Sequence, residues 1–153
     1  MNVEYINPFL DSMINVLSSM AYTQATPEKP FVKNGKGAFG DVTGIIGIAG
    51  PSTKGSLAIT FPEPVILMIA SKMLGEDYAS MEPIVIDMVS EIANMVLGGA
   101  KKVLSEKGYK FDMSIPSTIM GRDHTITHKT KGNVIVVPFN TEKGQFFIEI
   151  TFE

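Results

Sequence analysis

Glu91 and Asn94 stand three residues apart in the stretch Met81 to Gly108, where polar positions keep a helical period. At about 100° per residue, Asp87, Glu91, Asn94, Gly98 and Lys101 advance by alternating steps of four and three and share one face. Val85, Val89, Ile92, Val96, Ala100 and Val103 repeat with the same period about a third of a turn away, the pattern of a helix with one side in a core. The carboxylate and the amide therefore point outward, side by side. Spacing alone leaves two readings open, a solvated helix face or a site. What the pair lacks bounds its chemistry: it has no covalent nucleophile, no metal ligands and no obvious pocket of its own.

Two glycines interrupt this helix. Gly98 and Gly99 each cost about 1 kcal/mol relative to alanine in a helix interior. Close approach of another backbone would offset that cost, either a strand beneath the helix or a partner protein laid across it. Met88 and Met95 flank the polar stripe and suit a core edge or a contact surface.

Other constellations are weaker. His124 and His128 have the spacing of a metal pair on a helix, but Thr125, Ile126 and Thr127 predict a strand, where the two rings sit roughly 13 Å apart. They read as surface strand residues. Arg122, the one arginine, lies in Gly121-Arg122-Asp123; a phosphate ligand and a turn residue in a local ion pair are both open, and the turn is the better reading. Gly44 and Gly47 belong to no phosphate-loop or dinucleotide fingerprint. No serine sits in a nucleophile elbow and the chain has no cysteine, so covalent hydrolysis is not supported.

The 153 residues are most economically one domain, 1–153, with 44% hydrophobic and 19% charged residues and a net charge of −3. That balance supports neither a nucleic-acid surface nor an anionic membrane as partner. The absence of cysteine removes disulfides and thiolate metal sites. The first ten residues lack the basic start and apolar run of a signal peptide, and apolar runs reach only about seven residues against roughly 20 for a membrane span. A cytoplasmic protein is expected.

Along the chain, Asn7-Pro8 reads as an N-cap and first-turn proline of a helix ending near Ala21, an earlier start staying open. Thr23 to Pro30 is a loop. Asp41 to Ile48 and Ser56 to Phe61 form a hairpin around Gly50 to Gly55. Pro62-Glu63-Pro64 opens a helix over Val65 to Leu74 that Gly75 stops, and Ser80 is a candidate cap for the long helix. Phe111, Met113 and Ile115 predict a strand closed by Pro116. His124 to Lys129 and Val134 to Phe139 predict a hairpin across Thr130 to Asn133. Phe146, Ile148, Ile150 and Phe152 give the last strand one apolar face that must cover a core, with Glu149 and Thr151 facing away. This order predicts α+β, a mainly antiparallel sheet packed against helices. A faint internal echo places Ser12 opposite Glu91 and Asn15 opposite Asn94.

The run Asp87-Met-Val-Ser-Glu91-Ile-Ala-Asn94, followed by small residues and then by Pro116, resembles the CheC/CheX/FliY family of bacterial chemotaxis phosphatases. Its motif is an acid or serine, three residues, Glu, two residues, Asn, and a proline about this far downstream. Thr43 to Phe61 and Asp112 to Asp123 are similar to the hairpin and post-helix segments of the CheX branch. One intact Glu-x-x-Asn motif, with Ser12 where a second would need its acid, also puts the chain nearer CheX than CheC. The resemblance implies a CheC-like fold and an enzyme that hydrolyses the aspartyl phosphate of a CheY-like response regulator. The regulator itself would bring the phosphorylated residue and Mg²⁺, the phosphatase no cofactor or metal. By carry-over, Asn94 would align the attacking water and Glu91 would pair with a receiver lysine, with Asp87, Met95 and Gly98 at the docking surface. A homodimer formed partly through sheet pairing is implied, with the apolar last strand in need of cover. The alternative is a receiver-binding or scaffold module in a signalling or flagellar complex with little hydrolysis.

Overall fold

The computed structural model describes residues 3–130 and 132–152. In chain order the elements are α1 (Val3–Ala21), β1 (Thr26–Pro27), β2 (Phe31–Val32), β3 (Val42–Ala49), β4 (Lys54–Phe61), α2 (Glu63–Leu74), α3 (Pro83–Glu106), β5 (Asp112–Met113), β6 (Ser117–Met120), β7 (Ile135–Thr141) and β8 (Gly144–Phe152). The strands form one antiparallel sheet in the order β1-β7-β8-β4-β3-β5, with β2 also on β7 and β6 also on β3. The expected α+β architecture is the one that forms.

Strand order explains the internal echo. The hairpins β3-β4 and β7-β8 meet through β4 and β8, and each is preceded by a helix and two short strands. The short strands cross over: β1 and β2, which precede β3, pair with β7, while β5 and β6, which precede β7, pair with β3. Two similar halves therefore exchange their edge strands, and α1 and α3 are the corresponding helices. This arrangement puts β8 in the middle of the sheet. Its apolar face, including Phe146, Ile148 and Ile150, is buried in the core cluster shared with the three helices. The sheet's own helices thus supply the cover that the last strand was expected to seek from a second subunit.

Helix α1 begins ahead of Pro8, which sits inside it. A proline there leaves the carbonyl of Glu4 without its usual amide donor, and Lys107 Nζ at the end of α3 donates to that oxygen at 3.4 Å. Ser12 Oγ, on the next turn, donates to the carbonyl of Val96 at 2.7 Å. These contacts set the two helices antiparallel. Gly75 ends α2 in the left-handed conformation, as expected, with its amide on the carbonyl of Ser71.

Several expectations need correction. Thr23 to Pro30 is not loop throughout, since Thr26–Pro27 pair with β7 as β1. Residues 111–115 do not make one strand: β5 is only Asp112–Met113, Ile115 is 89% exposed, and β6 starts after Pro116, because proline breaks the ladder between them. No hairpin forms from 124–129. That segment crosses the non-helical face of the sheet with a single bridge, Thr125 to Gly37, and Lys131 of the expected turn lies outside the described residues. The histidines are not surface strand residues. His124 Nε2 is 2.6 Å from Thr43 Oγ1, and His128 bonds Ser56 Oγ on one side and Glu149 Oε1, at 3.0 Å, on the other. Glu149 does face away from the helices, yet it is fully buried, because Lys33 Nζ reaches its other oxygen at 2.7 Å.

Glycines decide how closely α3 can lie on its neighbours. A Cβ on Gly44 would stand 3.0 Å from Val89 Cγ1 and 3.1 Å from the Val89 carbonyl, and one on Gly99 only 2.4 Å from Ser12 Oγ. The strand beneath the helix is accommodated by the strand's glycine, and Gly99 accommodates α1. Gly99→Ala should therefore destabilise the chain by about 1–3 kcal/mol through overpacking, despite alanine's better helix propensity. In a Ser12→Ala background the same change should cost at least about 1 kcal/mol less. Urea midpoints of the four proteins measure this coupling; simple additivity would contradict the packing.

Candidate functional site

Helix α3 starts with Pro83 in its first turn, where a missing amide costs nothing. Its N-cap is Glu82, in extended conformation and without a side-chain cap bond, so Ser80 does not cap it. From there the helix is held on several sides. Val85, Val89, Ile92, Ala93, Val96, Leu97, Ala100 and Leu104 are buried, each contributing about 1.5–3 kcal/mol where it is large and aliphatic. Ser90 Oγ meets Thr118 Oγ1 of β6 at 2.5 Å, which ties the helix to the segment that follows Pro116. Val103, assigned to the core by its period, is instead 40% exposed, because it lines the open cleft between α3 and α1 together with Pro8.

What remains on the free side is the polar stripe. Asp87, Glu91, Asn94 and Gly98 are exposed, and Lys101 is partly so, 3.8 Å from the exposed carboxylate of Asp112. An ion pair of that length in solvent contributes little. Among the described residues Glu91 and Asn94 have no hydrogen-bond or ion-pair partner, so both side chains are free for a group from outside. Nothing lies within 4 Å of a Cβ built on Gly98. Its smallness therefore serves no contact inside the chain, in contrast to Gly99. Glu91, Asn94, Asp87 and Gly98 share one convex face, as their spacing predicts.

Met95 turns to the side of that face. It is half-buried and forms one wall of an open cleft of about 310 Å³ between α1 and α3, opposite Asp11, Asn15 and Met20. The α1 wall beside the candidate site was not anticipated. The only sequence signal for it was the echo between Asn15 and Asn94.

The remaining candidates lie elsewhere. Arg122 is exposed and forms no ion pair among the described residues, so the local pair expected with Asp123 is absent. His128 has the partners of a hydrolytic serine triad, Ser56 and Glu149. However, Glu149 is already paired with Lys33 at 2.7 Å, with side-chain exposures of 0% and 3%. Ser56 itself is only 6% exposed. These residues pin the segments 33–40 and 121–130 to the sheet. Among the described residues no three His, Asp or Glu side chains converge as metal ligands. The length and hydropathy of α3 would suffice for a membrane span, but its apolar side is packed into the core.

Comparison with known proteins identifies the family. Residues 42–140 match the family model described as chemotaxis phosphatase CheX. A CheC-like superfamily protein from Shewanella sp. PV-4 is 54% identical, with a TM-score of 0.93 over 100% of this chain and 99% of that one. CheX from Borrelia burgdorferi, solved as a CheX-CheY-BeF3-Mg²⁺ complex, is 29% identical with a TM-score of 0.82, covering 99% of each chain. The CheY-P phosphatase CheX of Thermotoga maritima is 23% identical over 148 residues, 96% of this chain and 94% of that protein. With its fold, its length and the greater part of its sequence matched, the chain belongs to the CheX family of chemotaxis phosphatases.

Proposed function

We propose that the chain hydrolyses the aspartyl phosphate of a CheY-like receiver, with Asn94 as the catalytic residue and Glu91 as the docking residue. The observation that carries this reading is the exposure of both side chains, without partners, on a convex helix of a CheX-family protein. A convex face has no pocket in which to hold a small substrate. It can instead enter the shallow site of another protein, and the Borrelia relative was crystallised with its CheY, BeF3 and Mg²⁺.

In the proposed reaction the receiver contributes the phosphorylated aspartate and Mg²⁺, which neutralises charge on the phosphoryl oxygens. The Asn94 carbonyl accepts a hydrogen bond from water, and its amide group donates toward the phosphoryl group. Water is thereby held in line with the bond to the aspartyl oxygen. Its oxygen bonds to phosphorus as that bond breaks, giving inorganic phosphate and the free carboxylate. Glu91, three residues earlier on the same face, pairs with a receiver lysine and fixes the register of the two proteins. Asp87 at one end and Gly98 at the other border the contact, Gly98 leaving room for the receiver's backbone.

A homodimer and a cytoplasmic location belong to the same reading. Support for the dimer lies at the sheet edge, where Ile115, between β5 and β6, is 89% exposed and Met120, at the end of β6, 48%. Sedimentation equilibrium at micromolar concentration should give twice the chain mass; a monomer mass would remove this part of the reading.

The direct test is the decay of each phosphorylated receiver from the same cell, with Mg²⁺ present. Wild type should speed decay of at least one, and Asn94→Ala should lose about 10²-fold or more of that acceleration while its melting temperature stays unchanged, since the residue is exposed. Binding to a receiver without any change in its decay would favour the scaffold reading.

A further inference from the structure

The cleft between α1 and α3 is a second contact element beside the catalytic stripe. Met95 joins the two, following Asn94 directly and forming one wall of the cleft. The opposite wall is α1, the helix that corresponds to α3 in the other half of the fold. Ser12, where the motif would need an acid, is buried and donates to the carbonyl of Val96. That bond uses up the motif position on α1 and draws α1 onto Gly99, and the cleft forms above this junction. Asn15 stays exposed on its rim.

Its chemistry selects an occupant. Val16, Met20 and Met95 give it apolar walls, and among the described residues Asp11 is the one charged side chain lining it and no lysine or arginine does. The adjoining stripe carries two further exposed carboxylates, Asp87 and Glu91, against one partly exposed cation, Lys101. At about 310 Å³ it lies at the small end of the range of ligand pockets, roughly 300–1,000 Å³. An aliphatic stem ending in a cation satisfies both features. We propose that the cleft receives a lysine or arginine side chain from the receiver surface, its stem along Met20, Val16 and Met95 and its charge at Asp11. This rests on the receiver-phosphatase reading and adds a specificity element to it: receivers with a basic residue at the matching distance from their phosphorylation site are bound, and others are not. The degenerate half-site on α1 thus serves recognition, and the intact one on α3 serves hydrolysis.

The test is the dissociation constant of the full-length protein for its beryllofluoride-loaded, Mg²⁺-bound receiver, which does not depend on turnover. Asp11→Lys should raise it by about tenfold, and Asn15→Trp, which fills the cleft from an exposed position, should do the same. Glu76→Lys, an equal charge change on the exposed link after α2, should alter it less than about twofold. A receiver variant with its basic residue changed to glutamate should bind wild type weakly and Asp11→Lys better. If Glu91→Ala weakens binding while neither cleft variant does, the cleft proposal is overturned and the phosphatase reading stands. If no receiver binds wild type, both are overturned.

Discussion

Helix α3 is enclosed by the sheet beneath it and by α1 beside it, and the closeness of both contacts is set by missing side chains. Gly44 lets the Val89 turn settle on β3, and Gly99 lets Ser12 reach the backbone of Val96. With eight of its side chains buried, the helix keeps its polar stripe in solvent and has no freedom to rotate it away. Rigidity is what a water-positioning amide needs, because an error of about 1 Å in placement can remove two orders of magnitude in rate. In the proposed reaction the placement of Asn94 would therefore come from packing, since no hydrogen bond among the described residues fixes its side chain.

Of the two helices that open the two halves, only α3 carries an intact Glu-x-x-Asn pair. The two halves share the order helix, short strands, hairpin, and they exchange short strands across the sheet. Equivalent helices lie side by side, so a motif residue on one can be recruited into the contact between them. Ser12 makes such a contact. Its hydroxyl is short enough to be buried against Val96, where a glutamate would have to bring an uncompensated charge into the core. One Glu-x-x-Asn pair stays free, and the other half becomes the scaffold that orients it.

The opposite face of the sheet is held by polar chemistry. Lys33, Glu149, His128 and Ser56 form a buried chain of contacts that joins two covering segments to β4 and β8. Much of the fold was legible in local pattern: the period of α3, the α2 stop at Gly75, the β3-β4 hairpin and the alternation of β8 all follow from nearest-neighbour chemistry. So was the stripe, because exposure on a helix is a matter of period. The covering segments were not. Thr125, Ile126 and Thr127 alternate as a strand does, but the segment is held by partners distant in sequence, among them Gly37, Thr43 and Ser56. The burial of Glu149 was not legible either, for the same reason, its cation lying 116 residues earlier. The wall of the cleft on α1 was visible only as a shared asparagine, whose meaning depends on the two helices being neighbours.

The central claim assigns docking to one residue of the stripe and water positioning to the other. Measuring the affinity of the Glu91→Ala and Asn94→Ala proteins for a beryllofluoride-loaded receiver separates these roles without reference to turnover. The account predicts that Glu91→Ala binds about tenfold more weakly or worse, while Asn94→Ala stays within about twofold of wild type. An Asn94→Ala protein that no longer binds, or a Glu91→Ala protein that binds normally, would contradict it.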